Sequence, residues 1–179
     1  NGSGGSWSFS DASVTSTNNF TVTAGVVTLP TTQLNIGASF RNISGSYAHN
    51  NDTVRLYATA TGKSIQQGGS AFYNLTLQGS GGGWTWLDTN ATTTNNLVMS
   101  QGSSATLPAG TLAIGSSFTN SAPISLTHSS GTVRMFSTTD GKTFQPGSSS
   151  LYNTTFDGTG GGWAGGVRRG REQPLPGGA

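Results

Sequence analysis

An internal repeat of about 78 residues restricts the fold of this chain more than any other feature of its sequence. A glycine-rich segment that ends in tryptophan occurs at 2–7, at 79–84 and at 158–163. Residues between these segments match at a similar offset, as Leu34 matches Leu112. Such self-similarity is typical of chains built from like units that stack on one another. We therefore predict β repeats at 1–78 and 79–157, followed by the start of a third repeat and a tail at 158–179.

The third copy departs from the repeat after Trp163. The residues that follow are rich in glycine, arginine and proline, and they include Arg168, Arg169 and Arg171. Three arginines could contact phosphate or nucleic acid, but charges in a segment of this composition are more often only solvated. We predict that the tail at 163–179 is disordered.

Apolar residues alternate with polar ones throughout the two repeats, as in Leu75-Thr76-Leu77. Neighbouring residues of a strand point to opposite faces, so this alternation predicts short strands with one buried face. Threonine and valine favour strands, and the glycine, asparagine, serine and proline between them favour turns. No segment has a helical period, so the chain is predicted to be all-β.

The spacing of the apolar residues distinguishes between two all-β architectures. Within each repeat, an apolar residue and the one three places further along this apolar series are separated by a constant number of residues. This separation is longer by one residue in the second repeat than in the first. The pairs are Phe20 and Phe40, Val27 and Tyr47, Leu34 and Val54, and then Leu97 and Phe118, Ala105 and Leu126, Leu112 and Val133. Coils of about 20 residues with three short strands predict a parallel β-solenoid, in which inward residues of successive coils form ladders. The alternative is two tandem immunoglobulin-like β-sandwiches, whose strands recur every roughly 8–12 residues.

The residues at 71–77, the glycine-rich tryptophan segment, Asn95-Asn96-Leu97 and the residues at 110–120 together resemble a known kind of array. They resemble the β-strand repeats of large secreted and surface-anchored bacterial proteins, including adhesin-like ones. The resemblance covers about residues 1–162. It implies a β-solenoid that serves as a stalk, an adhesive surface, or envelope and matrix material, and it carries no catalytic residues.

The composition favours an extracellular or cell-surface protein. Serine, threonine, glycine and asparagine together make up more than half of the chain, and charged residues are only 8% of it. Before Trp163 the chain has five basic and five acidic residues, so no nucleic-acid partner is predicted. No apolar run approaches the length of about 18 residues that suggests a membrane-spanning helix, so no membrane insertion is predicted. The lack of cysteine excludes disulfides, thiolate metal sites and a cysteine nucleophile.

No catalytic, metal or cofactor site is predicted, and the chain is expected not to be an enzyme. Asp11 and Asp88 occupy the same phase of the two repeats, which indicates a turn or cap instead of the converging acids that a glycosidase needs. His49 and His128 also correspond, but two histidines one repeat apart lack metal-ligand spacing. Loops such as 50–52 resemble fragments of calcium loops, yet each has a single carboxylate.

Two sets of residues are candidates for modification or binding. Asn-x-Ser/Thr sequons, which accept glycans in secreted proteins, occur at Asn19, Asn42, Asn51, Asn74, Asn90 and Asn153. Flat aromatic rings suit the faces of sugars, so candidates for stacking on a glycan or a partner are Trp7, Trp84 and Trp86. The alternative interpretation is that these tryptophans belong to the core or to an interface.

These observations predict a structural or adhesive repeat protein of a cell surface, matrix or filament. The glycine-rich segment at 2–7 lacks the strand that precedes its other copies, so strand edges are expected to be exposed at the ends. Either further coils of a longer array cover such edges, or they pair with a second copy of the chain end to end. Surface glycans are the other predicted partner. The alternative function is a carbohydrate- or ice-binding module, which needs a flat outward array of threonine or aromatic residues.

Overall fold

The computed structural model describes residues 4–121 and 124–165, which form 21 short strands and no helix. All of the strand pairs are parallel, and the chain passes over three faces in turn before it returns to the first. The fold is a parallel β-solenoid of about 7 turns with about 21 residues per turn. The predicted solenoid is therefore confirmed. The tandem-sandwich alternative is wrong, because sandwich sheets are antiparallel.

In the described ranges, no helix has the length and the apolar character that crossing a membrane would require.

The strands, numbered in chain order, are distributed over the three faces. The first face contains β1 Ser6–Ser8, β4 Val26–Thr28, β7 Ser46–Ala48, β12 Ala91–Thr93, β15 Thr111–Ile114, β18 Thr132–Met135 and β20 Asn153–Phe156. The second contains β2 Ser13–Ser16, β5 Gln33–Ile36, β8 Thr53–Leu56, β10 Asn74–Gln78, β13 Leu97–Gln101, β16 Phe118–Asn120, β19 Lys142–Gln145 and β21 Trp163–Gly165. The third contains β3 Phe20–Val22, β6 Phe40–Asn42, β9 Lys63–Gln66, β11 Gly83–Trp86, β14 Ser104–Thr106 and β17 Ser125–Thr127.

The second and third faces are unbroken sheets of eight and six strands, whereas the first face is divided into sheets of three and four strands. Phe72 lies at this division, where its backbone bridges to Thr93 and its ring lies 5.5 Å from the ring of Tyr47. The solenoid therefore contains one irregular coil on its first face.

The register of the strands reproduces the spacing of apolar residues in the sequence. Phe20 pairs directly with Phe40 on the third face, and Leu97 pairs with Phe118 on the second. The other four predicted pairs are also direct partners in the sheets. Coil length could be predicted because most inward ladder positions are filled by an apolar residue in every coil; buried Asn42 and Asn120 are exceptions, paired with Val22 and Met99.

The core is a single apolar column inside the three faces. Its inward ladder on the second face consists of Val14, Leu34, Val54, Leu75, Leu97, Phe118 and Phe144. One cluster of buried residues extends from Leu29 to Met135 and contains members of both sequence repeats. The two repeats thus share one continuous core.

Asparagine and serine side chains connect the coils at their corners. Asn19 Oδ1 accepts a hydrogen bond from the Ser39 N–H at 3.1 Å, and Ser39 Oγ accepts one from the Ser64 N–H at 3.0 Å. The same two bonds recur in the second repeat among Asn96, Ser117 and Thr143. Buried backbone groups need partners where the chain leaves a strand. This requirement explains much of the asparagine and serine content.

Equivalent residues of successive repeats lie on different faces. Trp7 lies on β1 of the first face, Trp84 on β11 of the third and Trp163 on β21 of the second. At about 21 residues per turn, the sequence repeat is longer than three turns but shorter than four. The faces of the three tryptophans show that each repeat falls about one third of a turn short of four turns. Equivalent surface features therefore appear on all three faces in succession.

The solenoid extends into the segment predicted to be disordered. β21 pairs with β19, and Trp163 Nε1 donates a hydrogen bond to the Ser116 carbonyl at 3.2 Å. The prediction of disorder is wrong for Trp163–Gly165, because this strand pairs with β19 and the ring of Trp163 packs on the preceding coil. Residues 166–179, with Arg168, Arg169 and Arg171, lie outside the described residues.

Candidate functional site

Two of the three tryptophans predicted as stacking platforms are part of the core. Trp84 is 1% exposed and Trp86 is 5% exposed, and both belong to the main apolar cluster. The prediction that they stack on a ligand is therefore wrong. The alternative interpretation, that these tryptophans belong to the core, is confirmed for both rings, which lie on one side of β11. Trp7, on the first coil, is 44% exposed.

The six sequons differ in accessibility. Asn19, Asn51, Asn90 and Asn153 are exposed and Asn74 is half-buried, so glycosylation at these five positions stays a prediction. Asn42 is fully buried. Its Nδ2 donates a hydrogen bond to the Gln67 carbonyl at 2.9 Å. A glycan on this nitrogen would have to pass through the core, so the prediction for Asn42 is wrong.

The corresponding histidines and Asp88 all bond to nearby backbone. The Asp88 carboxylate accepts hydrogen bonds from the N–H groups of Gln67 and of Gly68, the latter at 3.0 Å. His128 Nδ1 accepts one from the Ser130 N–H at 3.1 Å, and His49 Nδ1 accepts one from Asn51. Over residues 4–121 and 124–165, no three histidine or acidic side chains come together as metal ligands. Asp11 is exposed.

Asp52 is the one buried carboxylate of the described residues, with 1% of the residue exposed and no hydrogen-bond partner within bonding distance of either carboxylate oxygen. Burial raises its pKa from 3.8 to about 6, and the nearby backbone N–H groups of Asp52 and Asn50 oppose the rise only in part. Burial, with the carboxylates of Asp88 and Asp52, also holds the pKa of Tyr47 well above its usual value. In the second repeat the position of Asp52 is occupied by Gly131, so this acid is not a feature of the repeat.

Replacement of Asp52 by asparagine should remove a pH dependence of stability. The folded chain holds the Asp52 proton more tightly than the unfolded chain does, because the folded pKa is raised to about 6. The resulting stabilisation is complete below the unfolded pKa of about 4 and is lost as the pH rises through 6, with a difference of about 2–3 kcal/mol. Urea unfolding at pH 4 and pH 8 should show Asp52→Asn gaining stability over the wild type only at pH 8. If the free energies of unfolding of the two proteins changed equally between pH 4 and pH 8, the expected burial of the Asp52 charge would be contradicted.

Two arginines on the outer surface, Arg55 and Arg134, are paired with groups on neighbouring coils. Arg55 Nε donates to Gln78 Oε1 at 2.8 Å, and its Nη1 donates to Asn35 Oδ1 at 3.3 Å. At the equivalent position, Arg134 forms an ion pair with Asp157 at 2.7 Å. Both guanidinium groups also lie over an aromatic ring two residues further along the chain. These arginines strengthen the stacking of coils and leave the outer faces without a concentrated charge.

A polar cleft lies on the third face, beside β17. The chain at 146–151 crosses this face without strand pairing, and the space between it and β17 has a volume of about 450 Å³. The polar side chains that line the cleft are those of Ser125, Thr127, His128, Ser148, Ser149 and Ser150. Ser149 Oγ accepts a hydrogen bond from the Leu126 N–H at 3.0 Å and holds the crossing segment in place.

His128, which lines the cleft, forms an aromatic pair with Tyr152, which lies just outside the lining. The ring of His128 lies 5.5 Å from the ring of Tyr152, and the two planes are inclined by 33°. Tyr152 is 58% exposed, the most exposed of the large hydrophobic side chains in the described chain. The equivalent pair in the first repeat, His49 and Tyr73, has nearly the same geometry, at 5.4 Å and 37°. The correspondence of the two histidines is visible in the sequence, whereas the cleft is not, because residues 148–150 form no motif and their position beside β17 depends on the fold.

The fold and these surfaces define a class, the three-faced parallel β-solenoid repeat proteins. Comparison of the chain with protein-family models, with curated proteins and with solved structures gave no match. A proposal for its function therefore depends on the geometry described above.

Proposed function

We propose that this chain is a structural or adhesive element of an extracellular surface, matrix or filament. The observation that supports the proposal is the stacking of the coils, with an unbroken eight-stranded ladder along the second face. About 7 turns at about 4.8 Å per turn give a rod about 35 Å long. Backbone hydrogen bonds and corner side chains join every coil to its neighbours, and such bonding suits a stiff spacer.

The interactions that hold the rod together suit an environment of variable salt. Stability comes from apolar burial and hydrogen bonds, and a single ion pair, between Arg134 and Asp157, occurs in the described ranges. Salt screens exposed charges but has little effect on buried hydrogen bonds or apolar contacts. This property supports a location outside the cell.

The rotation of successive repeats favours a structural or adhesive role over an ice-binding one. A flat ice-binding face needs the same side chains in register on one side of the molecule. Here equivalent residues, such as Arg55 on β8 and Arg134 on β18, lie on different faces. Weak contacts distributed around a rod can still add up through avidity.

Both end coils of the described solenoid carry exposed apolar groups. An apolar pocket of about 210 Å³ opens at the first coil, lined by Trp7, Phe9 and Phe20 among others. At the other end, Phe156 on β20 is 48% exposed. Exposed strand edges and apolar groups pair readily with further strands. In a longer chain, further coils would supply these strands. For this chain alone, we propose that a second copy of the chain supplies them.

Electron microscopy and sedimentation of the full chain at rising concentration test the end-to-end assembly. We expect rods that lengthen into filaments one molecule wide, with weight-average mass rising with concentration. Particles that stay monomeric at high concentration would contradict assembly. A compact particle instead of a rod would contradict the structural role itself.

The proposed location has its own test, which does not depend on assembly. Antibodies raised against the full chain should label intact, unpermeabilised cells of the source organism or the matrix around them. Labelling that appears only after permeabilisation would show that the protein lies inside the cell.

A further inference from the structure

We propose that the cleft beside β17 binds a neutral saccharide, with Tyr152, just outside its lining, as the stacking platform. The inference gives a ligand class to the adhesive part of the proposed function and rests on that part. It does not depend on the assembly of the rod into filaments.

The size and lining of the cleft suit a sugar. Its volume of about 450 Å³ falls within the range of about 300–1,000 Å³ that is usual for small-molecule sites. Ser125, Thr127, Ser148 and Ser150 line it, and their hydroxyl groups make no side-chain hydrogen bond within the described chain. A hydroxyl both donates and accepts hydrogen bonds, as do the hydroxyls of a pyranose.

His128 adds a donor of fixed position. Its Nδ1 accepts a hydrogen bond from the Ser130 N–H at 3.1 Å. In the neutral ring the proton is therefore on Nε2, which is left to donate to a ligand. The exposed ring of Tyr152 lies against that of His128 and offers an apolar surface to the C–H groups of a sugar.

The lack of charged residues in the lining of the cleft argues against other common ligands. Among residues 4–121 and 124–165, no lysine, arginine, aspartate or glutamate lines it. A phosphate, a carboxylate or a metal ion would lose its hydration there without a compensating charge. A mainly apolar ligand would leave the hydroxyl groups unpaired. A neutral, hydroxyl-rich ligand brings no uncompensated charge into the cleft and pairs with its hydroxyl groups.

The first repeat provides an internal control, because its equivalent corner lacks most of the hydroxyl groups. Ala48 stands where the second repeat has Thr127, Gly69 where it has Ser148, and Ala71 where it has Ser150. The ring of Tyr47, which is buried, replaces Leu126 and packs between Phe40 and Phe72 at 5.0 and 5.5 Å. The aromatic pair is thus common to both repeats, whereas the hydroxyl-lined cleft belongs to the second.

The test is binding of the immobilised full chain to neutral oligosaccharides of glucose, galactose, mannose and N-acetylglucosamine, and to sulfated and uronic-acid oligosaccharides for comparison, followed by titration of the strongest binder. We expect Tyr152→Ala, and the double variant T127A/S150A with the first-repeat residues, each to weaken binding about tenfold. All three positions are exposed, so circular dichroism should show the wild-type fold. Tyr73→Ala, the matched variant at the first-repeat corner, should bind within about twofold of the wild type.

Three results would overturn the proposal. Binding to none of the neutral oligosaccharides would exclude the ligand class, and binding only to sulfated or uronic-acid glycans would show that charge governs recognition. Equal losses in Tyr73→Ala and Tyr152→Ala would place the binding elsewhere. Filament formation by electron microscopy is unaffected by these outcomes, so failure of the saccharide site and failure of the structural role can be distinguished.

Discussion

Replacement of Gly79 by alanine should destabilise the chain by about 3 kcal/mol or more, among the largest effects of any single substitution. A Cβ at this position would overlap the carbonyl oxygen of Ala58 on the preceding coil. The backbone of Gly79 is also held on its other side, because its N–H donates to the Gln101 carbonyl at 3.3 Å. Neither coil can move away without breaking the ladder. The equivalent Gly158 meets Ser137 in the same way, so the close approach is a feature of the repeat.

Gly62→Ala is the matched control for this prediction. Gly62 has a φ of +76°, but nothing lies within 4 Å of an added Cβ. Its replacement by alanine should lower the free energy of unfolding only by the cost of holding alanine in the left-handed conformation, about 1–2 kcal/mol. Denaturant unfolding of the three proteins measures the difference. Equal losses in the two variants would show that coil-to-coil contact at Gly79 does not limit stability.

Replacement of Phe40 by alanine should destabilise the chain by about 3–5 kcal/mol, because it leaves a cavity in a part of the core that cannot collapse. Phe40 is fully buried. Its ring lies 5.4 Å from that of Phe20, 5.0 Å from Tyr47 and 4.9 Å from Phe72. These partners lie on three different coils besides that of Phe40, so the loss should weaken the stacking of all of them.

Phe156→Ala provides the comparison for Phe40, since its ring also contacts two other rings but is 48% exposed. We expect a loss of about 1 kcal/mol there. Because stacked repeats interact mainly with their neighbours, amide hydrogen exchange is the better measurement. In Phe40→Ala, protection should fall in β3, β6 and β9 and remain in β15 and β18. A uniform loss along the whole chain would show that the solenoid unfolds as one unit.

The coil architecture could be predicted from the sequence because its signals are local and repetitive. Alternation predicted the strands, and the constant spacing of apolar residues predicted which of them pair, including Phe20 with Phe40. The candidate sites could not be predicted in the same way. Asn19 and Asn42 are both sequons, yet one is exposed and the other is buried. Their difference depends on which residues of later coils cover them.

The sequence by itself determined the all-β class and the coil length and favoured a parallel solenoid over tandem sandwiches, because most inward ladder positions hold an apolar residue in every coil. Only the tertiary structure decided how equivalent residues differ. Since a repeat does not contain a whole number of turns, Trp7 and Trp84 lie on different faces. Trp84 lies between neighbouring coils and is buried, whereas Trp7 lies on the first coil of the described solenoid and is 44% exposed. The cleft at Ser148 and Ser150 arises likewise from neighbours that are distant in sequence. Burial and exposure belong to the stacked coils together, and no single repeat specifies them.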